Sequence, residues 1–135
     1  MVRVIMGQKG SGKTKRLLDA INAAVAEDQG SVVCIENGQA LRYDVNYRVR
    51  LVDSSEYPQG GYAFLKGFVS GLHAGNFDIT HIFIDNLYKV SGQRDVAQTE
   101  DFLVWCDAFS KNNGVSFTFT ISDDPSSIPA AVNYL

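Results

Sequence analysis

Eight residues near the start of the chain, Gly7-Gln8-Lys9-Gly10-Ser11-Gly12-Lys13-Thr14, have the types and spacing of a loop that wraps a phosphate. Such a loop turns successive backbone N–H groups toward the anion, so it needs residues that tolerate positive φ and add no bulk. Gly7, Gly10 and Gly12 stand where those residues are needed. Lys13 would set an ammonium against the β- and γ-phosphates of a nucleotide. The Thr14 hydroxyl would be one ligand of an octahedral Mg²⁺ that bridges the same phosphates. Gln8, Lys9, Ser11 and Lys15 complete the expected nucleotide-binding set, and the helix that opens at about Gly12 adds the positive end of its dipole.

This chemistry needs a second group, an acid that holds the Mg²⁺, usually through its water shell. Asp85 qualifies, because it closes the apolar run Ile79-Thr80-His81-Ile82-Phe83-Ile84 at what should be the carboxyl end of a strand. The competing reading is that Asp85 caps the following loop with Asn86. A basic cluster of Arg3, Lys9, Lys13, Lys15 and Arg16, with no acid before Asp19, surrounds the loop and matches the charge of a polyphosphate.

The elements that must position these residues are legible as periodic patterns. Val2 to Met6 reads as a buried strand. After the loop, Leu17, Leu18, Ile21, Ala24 and Val25 recur at helical spacing, with Lys15, Asp19, Asn22, Asp28 and Gln29 mostly on the other side and Gln29-Gly30 as the stop. Val32 to Ile35 is a second buried strand, closed by Glu36. From Leu41 to Leu51 apolar and polar residues alternate, which predicts a small antiparallel excursion near 39–45 and then a strand at 48–53. A helix is expected over 62–75, where Ala63, Gly67, Gly71 and Gly75 put small groups in one line, a pattern that favours close approach to the sheet over contact with a partner subunit. Asp95-x-x-Gln98 opens a helix to about Asn112 and Asn113-Gly114 stops it. Val115 to Ile121 is the last strand, and a short helix follows over 127–134. The order predicts an α/β fold, a three-layer sandwich with a mainly parallel sheet of about five strands, formed by residues 1–135 as a single domain.

Composition agrees. Hydrophobic content of 45% and charged content of 20% describe an ordinary globular chain, and the net charge of −3 argues against a general nucleic-acid binder. Tyr43 and Tyr47 interleave with Arg42, Arg48 and Arg50, but on opposite faces of the expected strand, which weakens a base-stacking platform. No apolar run is long enough to span a membrane and no secretory leader is visible, so a cytoplasmic location is expected. Cys34, Cys106, His73 and His81 show no metal-ligand spacing and read as structural.

With these residues in view, the chain resembles the P-loop NTPases of the RecA-like branch, Gly7–Thr14 matching Walker A and Ile82-Phe83-Ile84-Asp85 matching Walker B. It is also similar to a group of small uncharacterised bacterial ATP-binding proteins that carry the same Ile-Met-Gly start and Val-Val-Cys-Ile-Glu strand. The resemblance implies ATP as ligand, Mg²⁺ as cofactor and slow NTP hydrolysis. Asn86 stands where many hydrolysing relatives have Glu. The base implied in its place is Glu36, catalytic together with Lys13, unless Glu36 simply begins the Asn37-Gly38 turn. Ser122, or Thr120 before it, corresponds to a γ-phosphate sensor, and Arg94 to an arginine finger reaching a neighbouring subunit of a homo-oligomer, against the plainer reading of a solvated loop arginine. The NTPase would work as a homo-oligomer or with a protein partner. Two other functions stay open: a nucleotide-responsive binding module with negligible hydrolysis, and a small-molecule or nucleotide kinase, which would need an acceptor pocket and a lid.

Overall fold

The computed structural model describes residues 1–27 and 30–135, without the side chain of Val132. Runs of β-branched and aromatic residues form five strands, and amphipathic segments between them form four helices. In chain order these are β1 (Val2–Gly7), α1 (Lys13–Glu27), β2 (Ser31–Glu36), β3 (Val49–Asp53), α2 (Gly61–Gly75), β4 (Ile79–Ile84), α3 (Leu87–Ser91), α4 (Val96–Asn113) and β5 (Ser116–Ser122). The strands make one sheet in the order β1-β5-β4-β2-β3, and every pairing in it is parallel.

The near-continuous apolar strands are explained by burial on both faces. Alternate residues feed two separate cores. Ile5, Val32, Cys34 and Phe83 pack with Leu17, Ile21, Ala24 and Val25 of α1 on one face. Val4, Val33, Ile35, Ile82, Ile84, Phe117 and Phe119 pack with Leu65 and Val69 of α2 and with Phe102, Leu103 and Cys106 of α4 on the other. Helices therefore cover both sides of the sheet, with α1 alone on the first. The α4 boundaries follow their capping signals: the Asp95 carboxylate accepts the Gln98 N–H at 2.9 Å, and Gly114 closes the helix at φ 68°.

Four expectations are corrected. No antiparallel excursion forms at 39–45; residues 37–48 are a loop of turns leading into β3, which pairs parallel with β2. The backbone there is satisfied locally, the Leu41 N–H by the Glu36 carboxylate at 3.0 Å and the Leu41 carbonyl by the N–H groups of Asp44 and Val45 at 2.9 and 3.1 Å. Leu41 is buried, while Tyr43 and Tyr47 are 85% and 93% exposed. Residues 41 and 45 share a side in a helical turn as well as in a strand, so alternation alone could not separate the two.

The small-residue line of α2 faces solvent, not the sheet. Tyr62, Leu65 and Val69 occupy the buried face, since these larger groups remove more apolar surface from water. A Cβ added at Gly67, Gly71 or Gly75 would meet nothing within 4 Å. The segment after Asp85, expected as loop, contains α3, and the final helix is two short 3-10 turns, Pro125–Ser127 and Pro129–Tyr134. The predicted stop of α1 falls on Gln29, which with Asp28 lies outside the described residues.

Candidate functional site

The loop after β1 is shaped by its glycines for different reasons. At Gly7 a Cβ would collide with Ser11 Oγ and lie 3.2 Å from Ser11 Cβ, so a side chain there would require the Ser11 side chain to shift. Gly10 and Gly12 have open space around them but sit at φ 83° and 86°, where an L side chain is strained. Ser11 N–H donates to the Gln8 carbonyl at 3.1 Å, and α1 begins at Lys13. The Lys13 ammonium donates to the same Gln8 carbonyl at 2.9 Å and the residue is only 8% exposed. Among the described residues no carboxylate lies within ion-pair distance of it, so a largely buried cation has one neutral partner and two N–H groups to spare.

Asp85 is positioned by strand register. Its N–H continues the ladder to the Ile35 carbonyl at 2.9 Å, and the pairing of Ile84 with Phe119 brings it beside Thr120. The Thr120 hydroxyl, 1% exposed, donates to Asp85 Oδ1 at 2.7 Å and accepts the Asn86 N–H at 2.7 Å. Asn86 then takes the left-handed conformation at φ 60°, tolerated by its short polar side chain, and caps α3 by accepting the Lys89 N–H at 3.4 Å. The turn leads into α3, whose Tyr88 and Lys89 line the same cavity as the loop. Burial, reinforced by the negative charge of Asp123, pushes the Tyr88 phenol up to about 12, so it stays protonated and donates to Asp123 Oδ2 at 3.2 Å. Arg94 reaches the same oxygen at 3.4 Å and lies over the Tyr88 ring at 5.1 Å.

Loop, Asp85, α3 and the end of β5 enclose an open cavity of about 860 Å³. Its charged lining residues are Lys9, Lys13, Lys89 and Arg94 against the single carboxylate of Asp85; Thr14, Thr120 and Ser122 add hydroxyls. That excess of cations suits a polyanion. Among the described residues no group of three or more His, Cys, Asp and Glu could hold a metal. One carboxylate and one threonine hydroxyl nevertheless fit a hard cation whose remaining ligands are waters and phosphate oxygens, the usual manner of Mg²⁺.

Of the expected residues, Lys9, Gly10, Gly12, Lys13, Thr14, Asp85 and Ser122 share this cavity, and Arg94 joins them on the wall of its own chain's cavity. Lys15 is turned along α1 to Asp19 at 3.3 Å. Glu36 does not line the cavity. It is 4% exposed, and burial, with the charge of Asp85 and against the Leu41 N–H, holds its carboxyl above the ordinary carboxylate range. Its observed bond is that of a turn anchor. His73 packs edge-on against Phe77 and Phe109, and His81 stacks on Phe83. Tyr88 and Lys89 escaped the sequence reading, although Asn86 as N-cap and Gly92 as stop, at φ 70°, delimit their helix.

No protein-family model matches the chain, and no curated protein matches it.

Proposed function

We propose that the cavity binds a nucleoside triphosphate, ATP or another NTP, together with Mg²⁺, in the manner of a P-loop NTPase, and that the bound nucleotide is hydrolysed slowly. The observation that carries this reading is the loop itself: Gly10 and Gly12 at positive φ lead the backbone into a largely buried Lys13 ammonium with no carboxylate partner among the described residues. In this reading Lys9, Lys13 and Lys89 bind and orient the phosphates. Thr14 and Asp85 hold the cation, which supplies charge neutralisation at the β- and γ-phosphates. Thr120 fixes the carboxylate that faces that cation.

One observation favours a second reading, a nucleotide-responsive module with negligible turnover. Glu36, the expected base, is engaged with Leu41 away from the cavity, and Asn86 follows Asp85. Calorimetric titration of ATP, GTP and ADP with Mg²⁺, paired with phosphate release, tests both. Wild type should bind a triphosphate, and Lys13→Ala should weaken binding at least tenfold, since hydrogen bonds to charged groups are worth about 1.5–3 kcal/mol. Absence of binding by wild type refutes the site. Binding with no ATP consumed selects the second reading, and ATP converted to ADP only with an added acceptor, which takes the γ-phosphoryl group in place of water, makes the protein a kinase.

A further inference from the structure

We infer that the cleft between the end of α2 and the amino ends of β2, β3 and β4 is a binding site for a small carboxylate with an apolar body. The cleft holds about 410 Å³, within the range of small-molecule pockets. Strand alternation sets its floor. Arg50 of β3 pairs in register with Val33 of β2, so both side chains stand on the face of the sheet that α2 covers. Val33 is buried there, whereas Arg50, on the edge strand, stays exposed. Leu72 of α2 and Ile79 of β4 complete the apolar wall. The phosphate-loop cavity lies at the opposite, carboxyl ends of the same parallel sheet.

The cleft is kept open by residues that weaken the helix beside it. Glycine is a poorer helix former than alanine, yet Gly71 and Gly75 line the cleft, where an added Cβ would meet nothing within 4 Å and neither residue takes a positive φ. Nothing within the chain requires glycine at either position, and the space they leave belongs to the cleft. Charge selects what enters it. No acidic residue lines the cleft, and among the described residues no carboxylate lies within ion-pair distance of Arg50. Arg48, at the same rim, already interacts within the fold. One unpaired guanidinium beside an apolar wall suits a monoanion, whereas the four cations of the other cavity suit a polyphosphate. Its planar fork matches the two oxygens of a carboxylate. The Ser31 hydroxyl accepts from Asn76 Nδ2 at 3.3 Å and keeps its own O–H as a further donor on the cleft wall.

The test is an NMR titration of the full, ¹⁵N-labelled chain near neutral pH with hexanoate, 4-phenylbutyrate and 1-hexanol. The amide signals of Gly71, Leu72 and Gly75 should move saturably with the acids, with a Kd of order 1 mM for ligands this small. The tighter of the two acids shows whether the natural body is aliphatic or aromatic. Hexanol, which lacks the charge, should bind at least about tenfold more weakly than hexanoate. Arg50→Gln, at an exposed position, should weaken both acids about tenfold and leave hexanol unchanged. Gly75→Leu, whose side chain would lean back along α2 toward Gly71, should fill the opening and abolish binding while melting no lower than wild type, because leucine is the better helix former. Four results overturn the proposal: no saturable shift with either acid; equal binding of hexanol and hexanoate, which makes the cleft an apolar crevice without anion recognition; shifts confined to Gly10 and Gly12, which put the carboxylate on the phosphate loop; or acid binding that neither substitution alters.

Discussion

Replacing Thr120 by valine keeps the side chain's shape and removes one hydroxyl that serves two partners, Asp85 Oδ1 and the Asn86 N–H, each at 2.7 Å. The first loss is a hydrogen bond to a carboxylate, about 1.5–3 kcal/mol, and the second leaves a backbone donor without its acceptor, about 1–3 kcal/mol. Both partners are only part-buried, so water offsets some of this and the lower ends apply, roughly 2.5 kcal/mol in all. For a domain of this size that corresponds to a melting temperature lower by about 10 °C. Thr120→Ser keeps the hydroxyl and loses one methyl, worth about 0.8 kcal/mol. Thermal unfolding followed by circular dichroism separates the two. A Thr120→Val protein that melts within about 2 °C of wild type would refute the role given to the hydroxyl, as would equal destabilisation by serine and valine, because then the methyl and not the hydroxyl matters. In the nucleotide reading, Thr120→Val also frees Asp85 to turn. The increment in ATP affinity brought by Mg²⁺ should then shrink about tenfold, the cost of one such hydrogen bond, with affinity in its absence unchanged.

Glu36 has a folded pKa above its unfolded one, so the folded state binds its proton more tightly. The stability it contributes is present at pH values below the ordinary carboxylate range and is lost as pH rises through the raised folded value. Glu36→Gln, which keeps an acceptor for the Leu41 N–H, should therefore be more stable than wild type at pH 8 in urea unfolding and lose that advantage by pH 4. If it hydrolyses ATP at the wild-type rate, Glu36 is not the base. Burial, with the charges of Asp85 and Glu36, pushes the Cys34 thiol up to about 12, and burial raises Cys106 as well. Neither should react with a thiol reagent in the native protein and both should react in denaturant; a thiol titrated under native conditions would contradict the packing.

Much of the fold was legible because its signals are local. Gly10 and Gly12 announce a loop whose positive φ would strain other residues, Asp95 and Gly114 bound α4, and apolar runs mark strands buried on both faces. The misreadings share one cause. Alternation over 41–51 and the small-residue line of α2 are patterns that more than one environment produces. Which environment applies depends on competitors elsewhere: the Glu36 carboxylate that captures the Leu41 N–H, and the larger Tyr62, Leu65 and Val69 that take the buried face of α2.

The sequence by itself determined the glycine-rich loop between β1 and α1, the five main strands and the long helices α1, α2 and α4, and Asp85 as the acid at a strand end, since each depends on residues adjacent or a few positions apart. Only the tertiary structure decided which groups meet. Thr120 finds Asp85 across 35 residues of chain because β5 lies between β1 and β4 in parallel register. Tyr88 and Lys89 reach the cavity because Asn86 turns left-handed. Glu36 turns to Leu41, away from the cavity, because a buried carboxylate takes the nearest unsatisfied N–H. Register and burial are set by the packing of the whole chain, which no single stretch of residues contains.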